Sequence, residues 1–356
     1  MSITWLTPHE KVNGPHRHAS SSDTILVVDV GGTWIRSGMW RRGLGLLPES
    51  IRKVPTASYL DKEHADPLGC QLLGMLMKLV PPGTVRASIS LGAAINHTQG
   101  TLYASAPLSG SDMLAFPIIQ KLRETRPETE WHVVNDVTAA LLAYQDSAPD
   151  ASRDKVLVTT VSTGIASRLY LPDLGGVPLD AAGLQGEIGH LPAVSDSCLE
   201  LMCDCGELNH VASYSSGPGI EQVARLLMQE RPLESGHSMM SQWSDRSEFE
   251  EGFADALDGA DPFALLILSM ATQPLADVFS YALTIDPSID RLVLVGGVIE
   301  AIGSHYRDAL LTRMTAKGVY LTSVLSPDWV SSKITTSASD SSTNLVGAAL
   351  SSENRR

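Results

Sequence analysis

The apolar positions of the chain fall into short runs, each ending at small or polar residues. Ile25–Val30 stops at Gly31-Gly32, Val85–Leu91 at Gly92, and His132–Val134 at Asn135-Asp136. Val156–Val161 stops at Ser162-Thr163-Gly164, and Leu292–Val295 at Gly296-Gly297. Runs of this length, bounded by turn formers, predict buried strands whose ends deliver loops. Between them, apolar residues recur at helical spacing over Leu68–Val80, Val137–Tyr144, Gly219–Glu230 and Phe263–Leu283. Asn344–Ser351 predicts a short closing helix. Strands alternating with helices predict the α/β class.

Strand–glycine loops early and late in the chain suggest two α/β lobes with a cleft between them. The boundary is placed near Asn135. The smaller lobe would comprise residues 23–135 joined by 341–356, and the larger lobe residues 136–340. Residues 231–262, acidic and carrying Pro, Ser and Met, predict a surface insertion. Residues 1–22, rich in His, Pro and Ser, predict a disordered lead.

Composition narrows the function classes. The 356 residues suffice for two domains, and 43% of them are apolar. The 26 basic and 40 acidic residues give a net charge of −14, which repels nucleic acid and anionic membranes. ATP is not excluded, because backbone N–H groups and Mg²⁺ hold phosphates inside acidic proteins. There is no run of 18 apolar residues and no signal-peptide core, so a cytoplasmic protein with no membrane or nucleic-acid partner is expected. Of the four cysteines, Cys198, Cys203 and Cys205 crowd into eight residues and Cys70 stands apart, favouring a metal over disulfides.

Local motifs carry the chemistry. Asp29-Val30-Gly31-Gly32-Thr33-Trp34-Ile35-Arg36 follows a buried strand. Its glycines permit a tight turn and close backbone approach, Thr33 adds a hydroxyl, and Asp29 can hold Mg²⁺ or its water. A Gly-Gly hairpin capped by an aspartate is the simpler alternative. Ser162-Thr163-Gly164 and Gly296-Gly297 are weaker loops of the same kind. Asn135-Asp136 opens a helix, where a carboxylate can take a proton from a hydroxyl or merely cap the helix. His190, Cys203, Cys205 and His210 offer four N/S ligands for a tetrahedral structural zinc, with Cys198 as a competing ligand. Reduced buried thiols are the alternative. Lys155 and Arg168 read as surface residues.

Taken together, DVGGTWIR, NDVTAA, STGI, GEIGH, CDCG and VLVGG, in this order and at these separations, resemble the ROK sugar kinases of the hexokinase–actin-like ATPase fold. The resemblance spans residues 24–350. It implies two ribonuclease-H-like lobes, with ATP and sugar bound in the cleft. It implies Asp29, Gly31, Gly32, Thr33, Arg36, Ser162, Thr163 and Gly164 at the phosphates, with Gly296 and Gly297 near the adenosine. Asp136 matches the catalytic base, Asn135 and Glu187 match sugar ligands, and His190 binds zinc and faces the sugar. The zinc stretch Cys203–His210 has His210 where the last cysteine is usual and Asn209 where glycine is usual. A homodimer through the larger lobe is also implied.

Three departures bear on the acceptor. Gly92-Ala93-Ala94-Ile95-Asn96 replaces the usual Pro-Gly-Pro-Val-Asp, leaving Asn96 as a candidate ligand. Ala106-Pro107, with Gly110-Ser111, stands where Pro-Asn before Gly-Trp is usual. Ala212 stands where a glutamate reaches the anomeric end of a hexose. A pocket lacking those partners has ceased to favour those hydroxyls. The expected acceptor is therefore a C7-cyclitol of valienone or valiolone type, phosphorylated on its hydroxymethyl group. Glucokinase and kanosamine or N-acetylhexosamine kinase are the alternatives. A ROK repressor is disfavoured, since residues ahead of the Asp29 strand carry Pro8, Gly14 and Pro15 and no two-helix pattern. ATP, Mg²⁺ and structural Zn²⁺ are the expected cofactors, with polyphosphate the alternative donor.

Overall fold

The computed structural model describes residues 4–6, 24–60, 67–105, 108, 113–148, 153–174, 176–179, 186–194, 199–240, 243, 245–337 and 342–353. The strands in chain order are β1 (Thr4–Leu6), β2 (Thr24–Val30), β3 (Trp34–Arg41), β4 (Gly45–Pro55), β5 (Arg86–Leu91), β6 (Ala94–Asn96) and β7 (Thr101–Ala104). They continue as β8 (Met113–Phe116), β9 (Glu130–Asn135), β10 (Val156–Val161), β11 (Ile165–Tyr170), β12 (Val177–Leu179), β13 (Arg291–Val295) and β14 (Ile334–Thr336).

The chain divides into two compact units. The first comprises Met1–Asp154, Arg168–Gly186 and Ser339–Arg356, and the second Lys155–Ser167 and Glu187–Ala338. The break near Asp154 differs from the expected boundary at Asn135. The helix Asp136–Ser147 stays with the first unit because it packs on the closing helix Thr343–Glu353. A Cβ at Gly347 would lie 1.8 Å from the Ala139 carbonyl oxygen, so the two helices approach at a position only glycine can fill.

The first unit is built on a five-stranded sheet of order β4-β3-β2-β5-β9. β2, β3 and β4 pair antiparallel, while β2–β5 and β5–β9 pair parallel. The central strand β2 shows the two-residue period of a strand covered on both faces. Leu26, Val28 and Val30 join the core formed with Leu72, Met75 and Ile118. Ile25 and Val27 point the other way, against Leu345 and Ala349 of the closing helix. Asp29 shares the odd-numbered face. Strand register sets Lys53, Arg36, Asp29, Ser90 and Val134 in one row across the five strands. A smaller sheet, β6-β7-β8, belongs to the same unit. Thr4–Leu6, within the lead expected to be disordered, pairs antiparallel with Val177–Leu179. The other residues of that lead lie outside the described residues.

The second unit carries the parallel strands β10, β13 and β14, together with Ile165–Ser167 of β11. Its core helix, Pro262–Ile285, is long and apolar enough to cross a membrane, yet 67% of its most apolar window is buried in the protein. Asp261 caps it, accepting from Phe263 N and Ala264 N. The region 231–262, expected as a surface insertion, carries regular structure. It forms helices Pro232–Gly236 and Arg246–Asp258. Phe249, Phe253 and Leu257, four residues apart, bury one stripe of the second helix. Its charged positions occupy the remaining face.

Candidate functional site

β2 delivers Asp29 to the end of the sheet, where the carboxylate is 2% exposed. Three donors hold it. Ser90 Oγ donates to Oδ1 at 2.8 Å, Asn344 Nδ2 to Oδ1 at 3.1 Å, and Arg36 Nη1 to Oδ2 at 3.3 Å. Burial raises the Asp29 pKa above the ordinary carboxylate value, opposed by these donors and the Arg36 charge. The turn Gly31-Gly32-Thr33 beyond it is pinned at both ends. Gly31 N donates to Trp34 O at 3.0 Å, Thr56 Oγ1 donates to Gly31 O at 2.7 Å, and Thr56 N donates to Thr33 O at 3.0 Å. Thr33 itself is exposed. A short, pinned glycine turn with a free hydroxyl at its tip can receive phosphate oxygens.

β9 ends at Asn135, and the helix begins at Asp136. Asn135 Oδ1 accepts from Val137 N at 3.0 Å and Thr138 N at 3.2 Å, and Nδ2 donates to Ala93 O at 3.0 Å. Asn135 is thus the helix cap and the tie to the loop after β5. Asp136, one residue on, has Oδ1 accepting from Val137 N at 2.9 Å. Its Oδ2 faces Gly92, where a Cβ would stand 3.3 Å away. The Asp136 pKa is raised to about 6, first by burial and second by the charge of Asp29, with Arg168 acting against both. Arg168 is therefore not the surface residue expected: it is buried, and its Nε donates to Thr138 Oγ1 at 3.2 Å. Two mutually repelling carboxylates, one at a strand end and one at a helix start, form a hard, oxygen-only set. That set fits Mg²⁺, and Asp29 would hold it.

In the second unit three loops meet. Gly217 N donates to Ser162 O at 2.9 Å, and Ser162 N donates to Gly164 O at 3.0 Å. A Cβ at Gly217 would lie 3.4 Å from Val298 Cγ2 and 2.8 Å from Arg246 Nη2. The Ser162-Thr163-Gly164 turn thus lies beside the first turns of the helices Gly217–Glu230 and Gly297–Lys317. Gly296 has φ 104°, and a Cβ there would come 2.7 Å from Val161 O, so its backbone requires glycine, whereas a Cβ at Gly297 would meet open space. Lys155, also read as a surface residue, pairs with Asp286.

The four residues expected to bind zinc converge. One ligand atom from each of His190, Cys203, Cys205 and His210 lies within 4.8 Å of the others. Cys203 Sγ is 3.7 Å from His190 Nδ1, and Cys205 Sγ is 3.2 Å from His210 Nδ1. Donors of a tetrahedral zinc with bonds of about 2.0–2.3 Å are separated by roughly 3.3–3.8 Å, so the donor set fits the ion. Burial pushes the Cys203 thiol up to about 12, so it needs a cation in contact to be a thiolate at neutral pH. Asn209 adopts φ 57°, the left-handed region where glycine is usual. Its Oδ1 accepts from Leu201 N at 3.0 Å and Tyr214 Oη at 2.9 Å. Glu187 heads the turn Ile188–His190, and a Cβ at Gly189 would lie 2.3 Å from Ile165 O. The metal cluster and β11 together fix the turn that Glu187 opens.

Some expected ligands lie elsewhere or are occupied. Asn96 Oδ1 caps its own turn, accepting from Thr98 N and Gln99 N, while Nδ2 donates to Tyr103 Oη. Cys198, Ala106, Pro107, Gly110 and Ser111 lie outside the described residues. Sequence reasoning missed Ser90, Asn344 and the inward position of Arg168. A signal existed for Ser90: Ser88 and Ser90 alternate with the apolar Ala87, Ile89 and Leu91.

The chain is 42% identical over 330 residues to 2-epi-5-epi-valiolone 7-kinase of an Actinoplanes strain, covering 92% of each chain. Its fold is similar to a ROK family glucokinase from Streptomyces griseus in complex with glucose and AMPPNP (TM-score 0.70, 17% identity, 92% and 98% covered). It is also similar to a ROK hexokinase from Thermus thermophilus (TM-score 0.62, 22% identity, 92% and 97% covered). With the ROK family model matching residues 70–353, and the glycine turn, the Asn135-Asp136 helix start and the His-Cys cluster all in place, the chain belongs to the ROK family.

Proposed function

We propose that this protein is an ATP-dependent kinase that phosphorylates the hydroxymethyl group of a C7-cyclitol, giving a 7-phosphate. The observation that carries the reading is the near full-length similarity to the Actinoplanes cyclitol kinase. The pairing of Asp136 with Asp29 beside a glycine turn supplies the chemistry. ATP use places the reaction in the cytoplasm.

Asp136 takes the proton of the acceptor hydroxyl as its oxygen forms the bond to the terminal phosphorus of ATP. The bond from that phosphorus to the bridging oxygen breaks, and ADP leaves. A carboxylate with a pKa of about 6 is mostly ionised at pH 7 and more basic than an ordinary aspartate, which suits a general base. Mg²⁺, when bound, neutralises charge on the phosphates. Gly32 and Thr33 offer backbone and hydroxyl donors to the phosphates, Gly31 closes the turn through its bond to Trp34 O, and Arg36 holds Asp29. Ser162, Thr163, Gly164, Gly296 and Gly297 serve the nucleotide in the second unit. Asn135 orients Asp136 and the Gly92–Ala93 backbone.

Glu187 and His190 bind acceptor hydroxyls, with the turn that carries them fixed by a structural zinc. Ala212, buried in the helix Val211–Ser215, offers no side-chain hydrogen bond. That fits an acceptor without an anomeric hydroxyl.

Steady-state assays with ATP should compare 2-epi-5-epi-valiolone, valienone, glucose, kanosamine and N-acetylmannosamine. A cyclitol should give the highest kcat/KM. Glucose leading by a wide margin would replace the cyclitol reading with glucokinase, and an amino sugar leading would replace it with an amino-sugar kinase.

A further inference from the structure

The mechanism leaves two partners of Asp29, the buried Ser90 and the half-buried Asn344, without a role. Ser90 Oγ and Asn344 Nδ2 both donate to the same oxygen, Oδ1, while Arg36 donates to Oδ2. An ionised carboxylate has about four acceptor directions. The first two donors fill both directions of Oδ1, and Arg36 takes one of the two on Oδ2. A single direction remains.

The partners themselves are locked. Ser90 lies opposite Asp29 in the β2–β5 register and is fully buried. Asn344 lies in the first turn of the helix Thr343–Glu353, which buries Leu345 and Ala349 against β2. That helix is tied to the sheet independently of Asn344. Ser88 Oγ donates to Ala348 O at 2.6 Å, and His132 Nε2 lies 2.7 Å from Ser351 Oγ. The contact to Asp29 is thus not needed to dock the helix. Unlike those two ties, it ends on a charged group at the phosphate turn.

We propose that Ser90 and Asn344 are positioning residues that occupy Oδ1 of Asp29, so that Asp29 serves the magnesium of Mg·ATP through Oδ2 alone. The inference rests on the reading of Asp29 as the magnesium-side carboxylate. A carboxylate anchored on one oxygen cannot swing to chelate the ion with both. The ion therefore keeps more of its water and phosphate ligands, as Mg²⁺ prefers. Partners one step removed from a metal commonly change its affinity by about 10–100-fold.

The test uses the full-length enzyme and the variants Asn344→Leu, Asn344→Gln, Ser90→Ala and Asp29→Asn. Mn²⁺ binding in the presence of AMPPNP is followed by electron paramagnetic resonance, alongside the Mg²⁺ dependence of kcat and thermal melting. Asn344→Leu and Ser90→Ala should each weaken Mn²⁺ by about tenfold and raise the half-saturating Mg²⁺ in parallel. kcat at saturating Mg²⁺ should stay within about threefold, and Asn344→Gln should recover part of the loss. Unchanged Mn²⁺ affinity in both Asn344→Leu and Ser90→Ala, with a large loss in Asp29→Asn, would overturn the positioning role and leave the reading of Asp29 standing. Lower melting temperatures with unchanged metal affinity would assign both residues to folding alone. Unchanged metal affinity in Asp29→Asn would overturn the reading of Asp29 and the inference with it.

Discussion

Gly92 and Asp136 are so close that a methyl group on the glycine would stand 3.3 Å from the carboxylate oxygen Oδ2. The glycine backbone needs no left-handed conformation, since its φ is not positive. Gly92→Ala should therefore fold and instead displace the carboxylate by a few tenths of an ångström. Misplacing a reacting group can cost up to about 100-fold. The expected outcome is a 10- to 100-fold lower kcat, measured by coupled ADP release, with a melting temperature within a few degrees of the parent.

Asp136→Asn should lower kcat by roughly 10²–10⁴-fold while leaving acceptor binding measurable by calorimetry. The same substitution should stabilise the fold at alkaline pH. Asp136 has its pKa raised from 3.8 to about 6, so the folded state favours its protonated form. That preference is fully present below pH 3.8 and lost as pH rises through 6. Above pH 6 the parent bears a cost of about 2 kcal/mol, allowing for partial exposure, that the amide does not. Melting curves of the two proteins should coincide at acidic pH and separate by several degrees at pH 8.

The pH–rate profile follows from the same carboxylate. A base must be ionised to accept the hydroxyl proton, so kcat/KM should fall tenfold per pH unit below about pH 6. An ordinary aspartate would place that limb near pH 4. Arg168→Met removes the buried cation that favours ionised Asp136, and the limb should move to higher pH. A limb that stays in place would remove Arg168 from the electrostatics of the site.

Elemental analysis should find about one zinc per chain. Cys203→Ser should release it and lower stability by about 3 kcal/mol or more, or roughly 10 °C. Asn209 provides a finer test. Asn209→Gly keeps the left-handed backbone and should retain zinc. Asn209→Ala loses both that conformational ease and the contacts to Leu201 and Tyr214, costing about 1–3 kcal/mol.

What the sequence shows in advance divides along a physical line. Strand ends such as Val30-Gly31 and Val295-Gly296 are legible, because an apolar run meeting glycine is a local signal. The metal set is legible because three of its members lie within eight residues, Cys203 to His210. β3 and β4 are not read as strands, because WIRSGMWR and GLLPESIRKVP mix charged and apolar positions with no clean period. Their pairing with β2 supplies the order. Asn344 on Asp29 and Arg168 beside Asp136 are invisible in local pattern, since each partnership is made by tertiary packing. Asn135 shows both readings at once: its cap geometry is local, whereas its tie to Ala93 is not.

The last helix has a consequence for how the protein comes into being. Asp29 waits for a partner 315 residues downstream, and the β2 face carrying Ile25 and Val27 stays bare until Leu345 and Ala349 arrive. During synthesis, β2 must persist with one flank wet until the 315 residues that lead to Asn344 have emerged. Such an unfinished sheet is exposed to aggregation and slow to close. A nascent chain stalled before residue 343 should therefore lean on chaperones and transfer no phosphate.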